Sequence, residues 1–199
     1  MKKKLILIGG GGHCRSCIDV IEQYEENEIV GILDKQEFMG QTVLNYEVIG
    51  TDAQIKNLSD KGYHFLITVG QIRSSQIRQK IYNELRICNA SLATVISPRA
   101  YVSKHAVIEG GTIIMHDVLV NAGVHIGKNC IINSKSLLEH DVVVKDHCHI
   151  STAAVLNGSV VVHEGTFFGS NAVCKENVKT KTHDFIKANS LYLGMYAKK

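Results

Sequence analysis

Residues 102–132 read VSKHAVIEGGTIIMHDVLVNAGVHIGKNCII, and their apolar positions recur every six residues. An α-helix repeats about every 3.6 residues and a strand every second residue, so neither element alone produces this interval. The spacing continues to position 186, and only two of its positions, Cys174 and Thr180, are neither aliphatic nor phenylalanine. The remaining members of the column are Val102, Ile108, Ile114, Val120, Ile126, Ile132, Leu138, Val144, Ile150, Leu156, Val162, Phe168 and Ile186.

A second column of compact side chains lies four residues after most members of the first, as at Ala106, Thr112, Cys130 and Ala154, and Asp184 is the main exception. Together the two columns indicate a parallel β-helix with three short faces per turn, in which the aliphatic residue points inward and the small residue lies near a corner. Fifteen repeats predict about five turns within residues 98–199. The polar segment 175–184 predicts an irregular turn or one that contacts a partner.

The first half of the chain alternates between short apolar runs and amphipathic segments. Strands are expected at 5–9, 29–34, 64–70 and 92–96, and helices at 16–24 and 74–88. In the first helix Ile18, Val20 and Ile21 are expected to face inward. In the second helix Ile77, Ile81 and Leu85 recur at a spacing of four and should also face inward. Alternating strands and helices predict a parallel sheet, and therefore a Rossmann-like α/β domain over residues 1–97 that Pro98 terminates.

Composition restricts the class of protein. A chain of 199 residues with 45% hydrophobic and 21% charged residues is an ordinary globular protein, and a net charge of +3 gives no reason to expect a nucleic-acid partner. The basic N-terminus is followed by an apolar run too short for a signal peptide or membrane span, which predicts a cytoplasmic protein without a membrane span. The six cysteines lack the spacing of a disulfide scaffold, and the isolated pair Cys14 and Cys17 favours helix packing over a metal or redox site.

The stretch 139–149, EHDVVVKDHCH, is unusually rich in ionisable groups for a structural repeat. It is consistent with a catalytic centre, with a solvated corner of the β-helix, or with a zinc site formed by His140, His147 and His149. The spacing of the three histidines lacks the usual ligand arrangement of zinc. His147 is expected to be exposed, and Cys148, in the small-residue column, is expected to pack in the core.

The loop GGGGHC at 9–14 follows a strand and opens a helix, so its backbone amides could hold a phosphate. A dinucleotide-binding fingerprint requires a glycine where Cys14 stands, although Asp34 follows at about the expected distance. An NAD site and a purely structural loop are therefore the alternatives to a phosphate site.

Several segments together resemble a known family. LILIGGGGH (5–13), VGILDK (30–35), INSKSLLEH (132–140), HISTAAVLNG (149–158) and FFGSNAV (167–173) are similar to the sugar acetyltransferases of the left-handed β-helix superfamily. The nearest members are the nucleotide-linked 4-amino-4,6-dideoxysugar N-acetyltransferases and the sialic acid O-acetyltransferases. The resemblance implies a left-handed β-helix, a homotrimer with active sites between subunits, acetyl-CoA as co-substrate and no metal.

The resemblance also implies residue roles. His140 is the expected general base, and either Glu139 or Asp141 is the carboxylate that orients it. Asn133 and His149 are expected near the sugar or its phosphate. The nucleotide part of the substrate is assigned to Gly9, Gly11, Gly12, His13, Asp34, Lys35 and Gly70. Acetyl-CoA is assigned to Gly158, Ser170 and Ala188, and the family's C-terminal Gly-x-Pro-Ala-Lys corresponds to residues 194–198, which lack the proline.

The expected function is acetyl-CoA-dependent N-acetylation of a nucleotide-linked 4-amino-4,6-dideoxysugar for bacterial surface glycan biosynthesis. Alternatives are O-acetylation of sialic acid or CMP-sialic acid, a non-catalytic β-helix that binds sugar nucleotides, and an NAD-dependent enzyme.

Overall fold

The structure, a computed structural model, describes residues 2–23 and 26–194. The chain divides into two compact units, residues 1–70 with 76–95 and residues 71–75 with 96–199. Among the described residues no helix is both long and apolar enough to cross a bilayer.

The first unit is an α/β domain with six strands: β1 (Lys3–Ile8), β2 (Asn27–Leu33), β3 (Thr42–Val43), β4 (Tyr46–Gly50), β5 (His64–Ile67) and β6 (Ser91–Leu92). These strands form one sheet in the order β3-β4-β2-β1-β5-β6, which is parallel except for the antiparallel β3–β4 hairpin. Its helices are α1 (Gly12–Glu22), α2 (Ile55–Asp60) and α3 (Gln76–Ile87), with 3₁₀ turns at Gln36–Phe38 and Asp52–Gln54. The predicted parallel sheet is confirmed, whereas the hairpin and α2 were not anticipated.

The core of this unit lies on both faces of β1, whose residues Leu5 to Ile8 are all at most 1% exposed. Such a strand is a continuous apolar run because helices cover both faces of a parallel sheet. On one face Ile6 and Ile8 belong to a cluster that includes Ile55 of α2 and Ile81 of α3. The α1 residues Ile18, Val20 and Ile21 are buried as predicted, but α1 begins at Gly12 instead of residue 16, and residue 24 lies outside the described residues.

The inward face of α3 differs from the prediction. Ile77 is 65% exposed, so its assignment to the core was wrong, and Arg78 is 1% exposed instead. The Arg78 Nη1 donates hydrogen bonds to the carbonyl oxygens of Ile67 (2.8 Å) and Val69 (2.7 Å). These carbonyls lie at and just after the end of β5 and need donors once they are buried. The helix therefore presents its arginine to the sheet, and Ile77 points outward.

The predicted strand 92–96 is also wrong as a single element. It is two strands, β6 (Ser91–Leu92), which pairs with β5, and β7 (Val95–Ile96), which joins a sheet of the second unit. Leu92, Val95 and Ile96 are all apolar, so the sequence pattern does not reveal the break between the two strands.

The second unit is a left-handed parallel β-helix, as the resemblance implied. Its strands are two residues long: β7 (Val95–Ile96), β8 (Tyr101–Val102), β9 (Val107–Ile108), β10 (Ile113–Ile114), β11 (Leu119–Val120), β12 (His125–Ile126), β13 (Ile131–Ile132), β14 (Leu137–Leu138), β15 (Val143–Val144), β16 (His149–Ile150), β17 (Val155–Leu156), β18 (Val161–Val162), β19 (Phe167–Phe168), β20 (Val173–Cys174), β21 (Phe185–Ile186) and β22 (Leu191–Tyr192). They form three sheets, which we call C (β7, β10, β13, β16, β19, β21), D (β8, β11, β14, β17, β20, β22) and E (β9, β12, β15, β18).

One coil of this helix consists of three hexapeptide repeats, because each strand pairs with the strand three repeats later, as Ile113 does with Ile131. The period-six column is the second residue of each strand, and its members from Ile114 to Ile186 are all buried. The column extends one step beyond the prediction at each end, to Ile96 and Tyr192. The compact column is also buried from Thr112 to Ala172, which explains its restriction to small side chains.

Every sixth residue from 111 to 189 has a positive φ and forms a corner between two sheets. Only three of these corner residues are glycines, Gly111, Gly123 and Gly165. The others are Asp117, Asn129, Lys135, Asp141, His147, Ala153, Ser159, Asn171, Asn177, His183 and Asn189. Asparagine and aspartate tolerate this left-handed conformation better than most side chains, which explains their frequency here.

The polar segment 175–184 is irregular, as predicted. Sheet E ends at β18, and Lys179 forms only an isolated bridge to Val161. Thr180 nevertheless keeps its inward place at 5% exposure, because its hydroxyl accepts a hydrogen bond from the His163 backbone (2.9 Å) and lies 3.3 Å from the Thr166 hydroxyl.

Candidate active site

The EHD stretch forms the corner between sheets D and E. β14 ends at Leu138, and Asp141 turns the chain with a φ of 60°. Neighbouring side chains on a strand point to opposite sides, but the turn brings His140 and Asp141 together. The His140 Nδ1 lies 2.9 Å from the Asp141 Oδ2. Of the two carboxylates that the sequence left open, Asp141 is therefore the one that contacts the imidazole.

This pair leaves one ring nitrogen for chemistry. A carboxylate accepts hydrogen bonds, so the contact with Asp141 places a proton on Nδ1, and in the neutral imidazole the lone pair then lies on Nε2. The side chains of His140 and Asp141 are 63% and 67% exposed, so a ligand can reach them. The arrangement suits a base that takes a proton from a bound nucleophile.

Gly158 lies one coil after His140 and directly against its ring. A Cβ at this position would be 2.6 Å from the His140 Nε2 and 2.7 Å from Cε1, closer than any real contact. The imidazole can therefore occupy its place only because residue 158 has no side chain.

Glu139 engages the preceding coil. Its Oε2 accepts a hydrogen bond from the Asn121 Nδ2 (2.9 Å), and the Asn121 Oδ1 accepts one from the backbone of Ala122 (2.7 Å). On the other side of the base, a Cβ on Gly123 would overlap the Asp141 carboxylate. The two carboxylates flanking His140 thus have different surroundings. Glu139 is hydrogen-bonded to the Asn121 amide, whereas Asp141 occupies the space that Gly123 leaves free.

His149 belongs to a separate, buried hydrogen-bond network. It is 6% exposed, its Nδ1 lies 2.5 Å from the backbone oxygen of Gln71, and its Nε2 lies 3.2 Å from the Asn133 Nδ2. Its ring also makes an edge-to-face contact with Phe167 at 5.2 Å between centroids. The structure brings Asn133 and His149 within hydrogen-bonding distance, and their assignment to the sugar or its phosphate stays a prediction.

His147 was predicted to be exposed, and that prediction was wrong. It is 8% exposed, and its Nδ1 lies 2.9 Å from the Nδ2 of buried Asn129, one coil earlier. Cys148 is buried as predicted, and burial raises the pKa of its thiol. Across residues 2–23 and 26–194 no three His, Cys, Asp or Glu side chains are grouped in a way that could hold a metal ion.

The proposed acetyl-CoA positions Ser170 and Ala188 lie one coil apart at the corner between sheets C and D. The Ser170 hydroxyl lies 2.9 Å from that of Ser151. Gly169 brings the two coils close together, since a Cβ there would be 2.5 Å from the Ala188 nitrogen. Gly158 lies at the corner of His140, apart from these two. Residues 195–198, which the resemblance assigned to the end of the acetyl-CoA site, lie outside the described residues.

In the first unit the glycine loop is fixed by a hydrogen bond at Gly10 and leaves open space beside Gly11 and Gly12. The Asp34 Oδ2 accepts a hydrogen bond from the Gly10 amide (2.6 Å), and its Oδ1 accepts one from the Lys35 amide (2.8 Å). Gly9 has a φ of 98° and leaves no room for a side chain against Val69. A Cβ on Gly11 or Gly12 would meet nothing within 4 Å, at the beginning of α1.

The remaining residues assigned to the nucleotide flank this loop. His13 lies in the first turn of α1, and a Cβ on Gly70 would be 3.4 Å from the His13 Cβ. Lys35 is exposed, with its Nζ 3.8 Å from Glu37. The loop therefore offers open backbone at Gly11 and Gly12 to an anionic group, and Lys35 follows Asp34 with an exposed side chain.

The pair Cys14 and Cys17 is fully buried in α1. Burial raises the pKa of the Cys14 thiol to about 11 and that of Cys17 further still, which keeps both protonated at neutral pH. Their contacts favour the packing interpretation.

Two residues around His140, Asn121 and Gly123, were missed in the sequence, and Gly158 was assigned only to acetyl-CoA, although a signal for all three positions exists. Asn121 and Gly123 lie one coil before Glu139 and Asp141, and Gly158, expected only at acetyl-CoA, lies one coil after His140. Stacking the sequence by coil would have placed them beside EHD. Gln71 was also missed, and no periodicity connects it to His149.

Comparison with known proteins gives matches over both halves of the chain. The sequence profile of the PglD N-terminal domain matches residues 4–85. The GDP-perosamine N-acetyltransferase of Escherichia coli O157:H7 is 26% identical over 179 residues, which cover 88% of this chain and 79% of that protein.

Two solved structures resemble the whole chain. The acetyltransferase domain of PglB from Neisseria gonorrhoeae FA1090, in complex with acetyl coenzyme A, matches with a TM-score of 0.90 and 25% identity, covering 98% of this chain and 92% of that one. A mutant of perosamine N-acetyltransferase from Caulobacter crescentus, in complex with CoA and GDP-perosamine, matches with a TM-score of 0.77 and 25% identity, covering 98% and 95%.

Proposed function

The chain belongs to the hexapeptide-repeat sugar acetyltransferases, and we propose that it transfers the acetyl group of acetyl-CoA to the amino group of a nucleotide-linked 4-amino-4,6-dideoxysugar. The observation that carries the proposal is the His140–Asp141 pair, with Nε2 directed away from its carboxylate at an exposed corner. The relatives whose names specify GDP-perosamine supply the class of sugar.

The reaction is a direct displacement. The amine nitrogen attacks the thioester carbonyl, and the His140 Nε2 takes the proton that the nitrogen loses as the C–N bond forms. Asp141 stabilises the resulting imidazolium through Nδ1. The C–S bond then breaks, and the imidazolium returns the proton to the CoA sulfur. We assign the backbone amide of Gly158, beside the ring, to the oxygen that becomes negatively charged in between.

The first unit is assigned to the nucleotide. Anions bind at helix N-termini, where free amides and the helix dipole favour negative charge. Gly11 and Gly12 open this end of α1 to a phosphate, and Lys35 adds a positive charge. Asp34 shapes the loop from within, because both its oxygens accept backbone amides. Its carboxylate is thereby occupied, which argues against its use on the ribose of NAD.

The working molecule is proposed to be a homotrimer. The outward residues of sheet D are all apolar, and none is fully buried in the single chain: Tyr101, Leu119, Leu137, Val155, Val173 and Leu191. The outward residues of sheet E are Val107, His125, Val143 and Val161, and this column is interrupted by His125, whose Nε2 lies 2.8 Å from Glu109. A continuous apolar face of this kind is typical of an interface. His140 follows sheet D directly, so a second copy on that face would complete the site.

The test is release of the free CoA thiol with a panel of UDP-, dTDP- and GDP-linked 4-amino sugars and CMP-sialic acid. We expect turnover with one or more of the amino sugars, and a roughly 10²–10⁴-fold lower kcat for His140→Ala. Asp141→Asn should lower kcat strongly, whereas Glu139→Gln, which does not alter the contact to the ring, should have the smaller effect. Turnover of CMP-sialic acid alone, or full activity of a folded His140→Ala protein, would contradict the proposal.

A further inference from the structure

The segment 71–75 lies within the second unit although it is separated in sequence from the rest of the β-helix. Gln71 is 2% exposed and anchors this segment. Its Nε2 donates to the backbone oxygen of His147 at 3.0 Å and to that of Gly165, one coil later, at 3.4 Å. The backbone oxygen of Gln71 in turn receives the Nδ1 of His149 at 2.5 Å.

These contacts determine the protonation of the His149 ring. A carbonyl oxygen only accepts hydrogen bonds, so the Nδ1 facing Gln71 must carry a proton. The other nitrogen faces the side-chain amide of Asn133, whose orientation is fixed because its Oδ1 accepts a hydrogen bond from the Ser134 amide at 2.8 Å. The Asn133 Nδ2 therefore points at the His149 Nε2 and donates to it at 3.2 Å.

A nitrogen that accepts a hydrogen bond has a lone pair and no proton. The ring of His149 is thus neutral, with its proton on Nδ1 and its acceptor on Nε2. A neutral acceptor does not donate to a phosphate oxygen. It matches a hydrogen-bond donor, and the donors of an amino sugar are its hydroxyls and its amine.

We propose that Gln71 is a positioning residue that fixes His149 in the Nδ1-protonated tautomer, so that Nε2 accepts a hydrogen bond from a hydroxyl or amine of the sugar and does not contact the phosphates. The proposal rests on the proposed function and assigns to His149 the sugar part of that substrate. When the sugar donor arrives, it competes with the Asn133 amide for Nε2 or replaces it.

The first experiment reads the tautomer directly, independently of activity. Imidazole ¹⁵N shifts distinguish a protonated from an unprotonated ring nitrogen, and His149→Asn identifies the signals of His149 in the full-length protein. We expect the Nδ1-protonated pattern in the wild type and a mixture of tautomers in Gln71→Met, which keeps the shape of the side chain but cannot donate to the two carbonyls. Ile72→Ala, at a neighbouring residue that is 64% exposed, is the control and should retain the wild-type pattern. A wild-type ring protonated on Nε2 would overturn the proposal.

The second experiment separates sugar from phosphate. In Gln71→Met the KM of the sugar nucleotide should rise roughly five- to tenfold, the scale of one lost hydrogen bond. The KM of acetyl-CoA and the inhibition constant of the matching nucleoside diphosphate, which lacks the sugar, should stay unchanged. An equal weakening of the nucleoside diphosphate would assign His149 to phosphate and refute the proposal. If none of the sugars is acetylated, the proposed function fails, while the ¹⁵N spectrum still decides the tautomer.

Discussion

At the scale of single residues, the position of the candidate base His140 depends on two neighbouring residues that have no side chain. Gly158 supports the His140 ring by lacking a side chain, and Gly123 does the same for the Asp141 carboxylate. Of the two, Gly158 gives the cleaner test, since its backbone does not have the positive φ of Gly123 (75°), where any side chain would be strained.

Gly158→Ala should displace the His140 imidazole, because the new Cβ would lie 2.6 Å from Nε2. A misplacement of about 1 Å can cost about 10²-fold in rate, so we expect a decrease in kcat of that order with little change in melting temperature. The measurement is steady-state kinetics together with thermal melting.

The matched control is Gly110→Ala, in the same β-helix, where a Cβ would meet nothing within 4 Å. It should keep wild-type kcat. If Gly158→Ala were as active as Gly110→Ala, the contact between Gly158 and the ring would have no catalytic importance.

At the scale of elements, the corners of the β-helix store backbone strain. Ala153 has a φ of 55°, a conformation that costs an L-residue about 1–2 kcal/mol and that glycine adopts freely. Ala153→Gly should therefore stabilise the fold, by about 0.5 kcal/mol after the extra entropy that glycine gives the unfolded chain. The melting temperature should rise by roughly 1–2 °C.

Its neighbour Ala154 supplies the control. This residue is fully buried, has no positive φ, and belongs to the compact column. Ala154→Gly removes a buried methyl group and should lower stability by about 1 kcal/mol. If the melting temperature rises for Ala153→Gly and falls for Ala154→Gly, the strain lies at the corner residue. A lower melting temperature for Ala153→Gly would contradict the presence of strain at Ala153.

The loop before α1 is the element assigned to the phosphates. Gly11→Val places a side chain where the structure leaves open space, so the fold should survive while the side chain blocks a phosphate. We expect a strongly raised KM for the sugar nucleotide and an almost unchanged KM for acetyl-CoA. Asp34→Ala should act in the same direction, through loss of the Gly10 and Lys35 hydrogen bonds. An unchanged sugar-nucleotide KM in a well-folded Gly11→Val protein would make this loop structural only.

The elements also mark the limit of prediction from sequence. The β-helix was predictable because one side chain in six must fill a narrow interior, and this leaves a period that no other element has. Ile77 was misplaced because a buried arginine satisfied two carbonyl groups that the sequence pattern does not reveal. The contact between His140 and Asp141 was left open because it depends on the left-handed φ of Asp141, and Gln71 was missed because only tertiary structure brings it to His149.

At the scale of the whole molecule, sheet D is the face we expect to be buried between copies. Leu119, at 38% exposure, lies within its apolar column. Leu119→Glu should disrupt association, because burial of an unpaired carboxylate costs several kcal/mol. Light scattering should give about three times 21.9 kDa for the wild type and a smaller mass for the variant, with a matching loss of activity.

Val107→Glu is the control on sheet E, at a residue that is 53% exposed. It should remain trimeric and active. A wild-type protein that is a fully active monomer would refute the shared site, and dissociation by Val107→Glu alone would move the interface from sheet D to sheet E.

Because every coil consists of three repeats, positions along the axis of the β-helix are separated by a constant distance per repeat. Coils are spaced as neighbouring strands are, about 4.8 Å apart, so a count of repeats becomes a distance along the axis. His140 and Ala188 are eight repeats apart, which corresponds to roughly 13 Å. Duplication of residues 160–177 would add one coil and leave the coils around His140 unchanged. An insertion that is not a whole number of coils would instead move every later corner to a different edge of the β-helix. The first change should alter only the reach between the base and the far end of the acetyl-CoA site, visible as a raised KM for acetyl-CoA in a protein that still melts cooperatively. Relatives of this chain can therefore lengthen or shorten this distance only by whole coils. If two relatives differed by one or two repeats, the difference would have to lie outside the segment between His140 and Ala188.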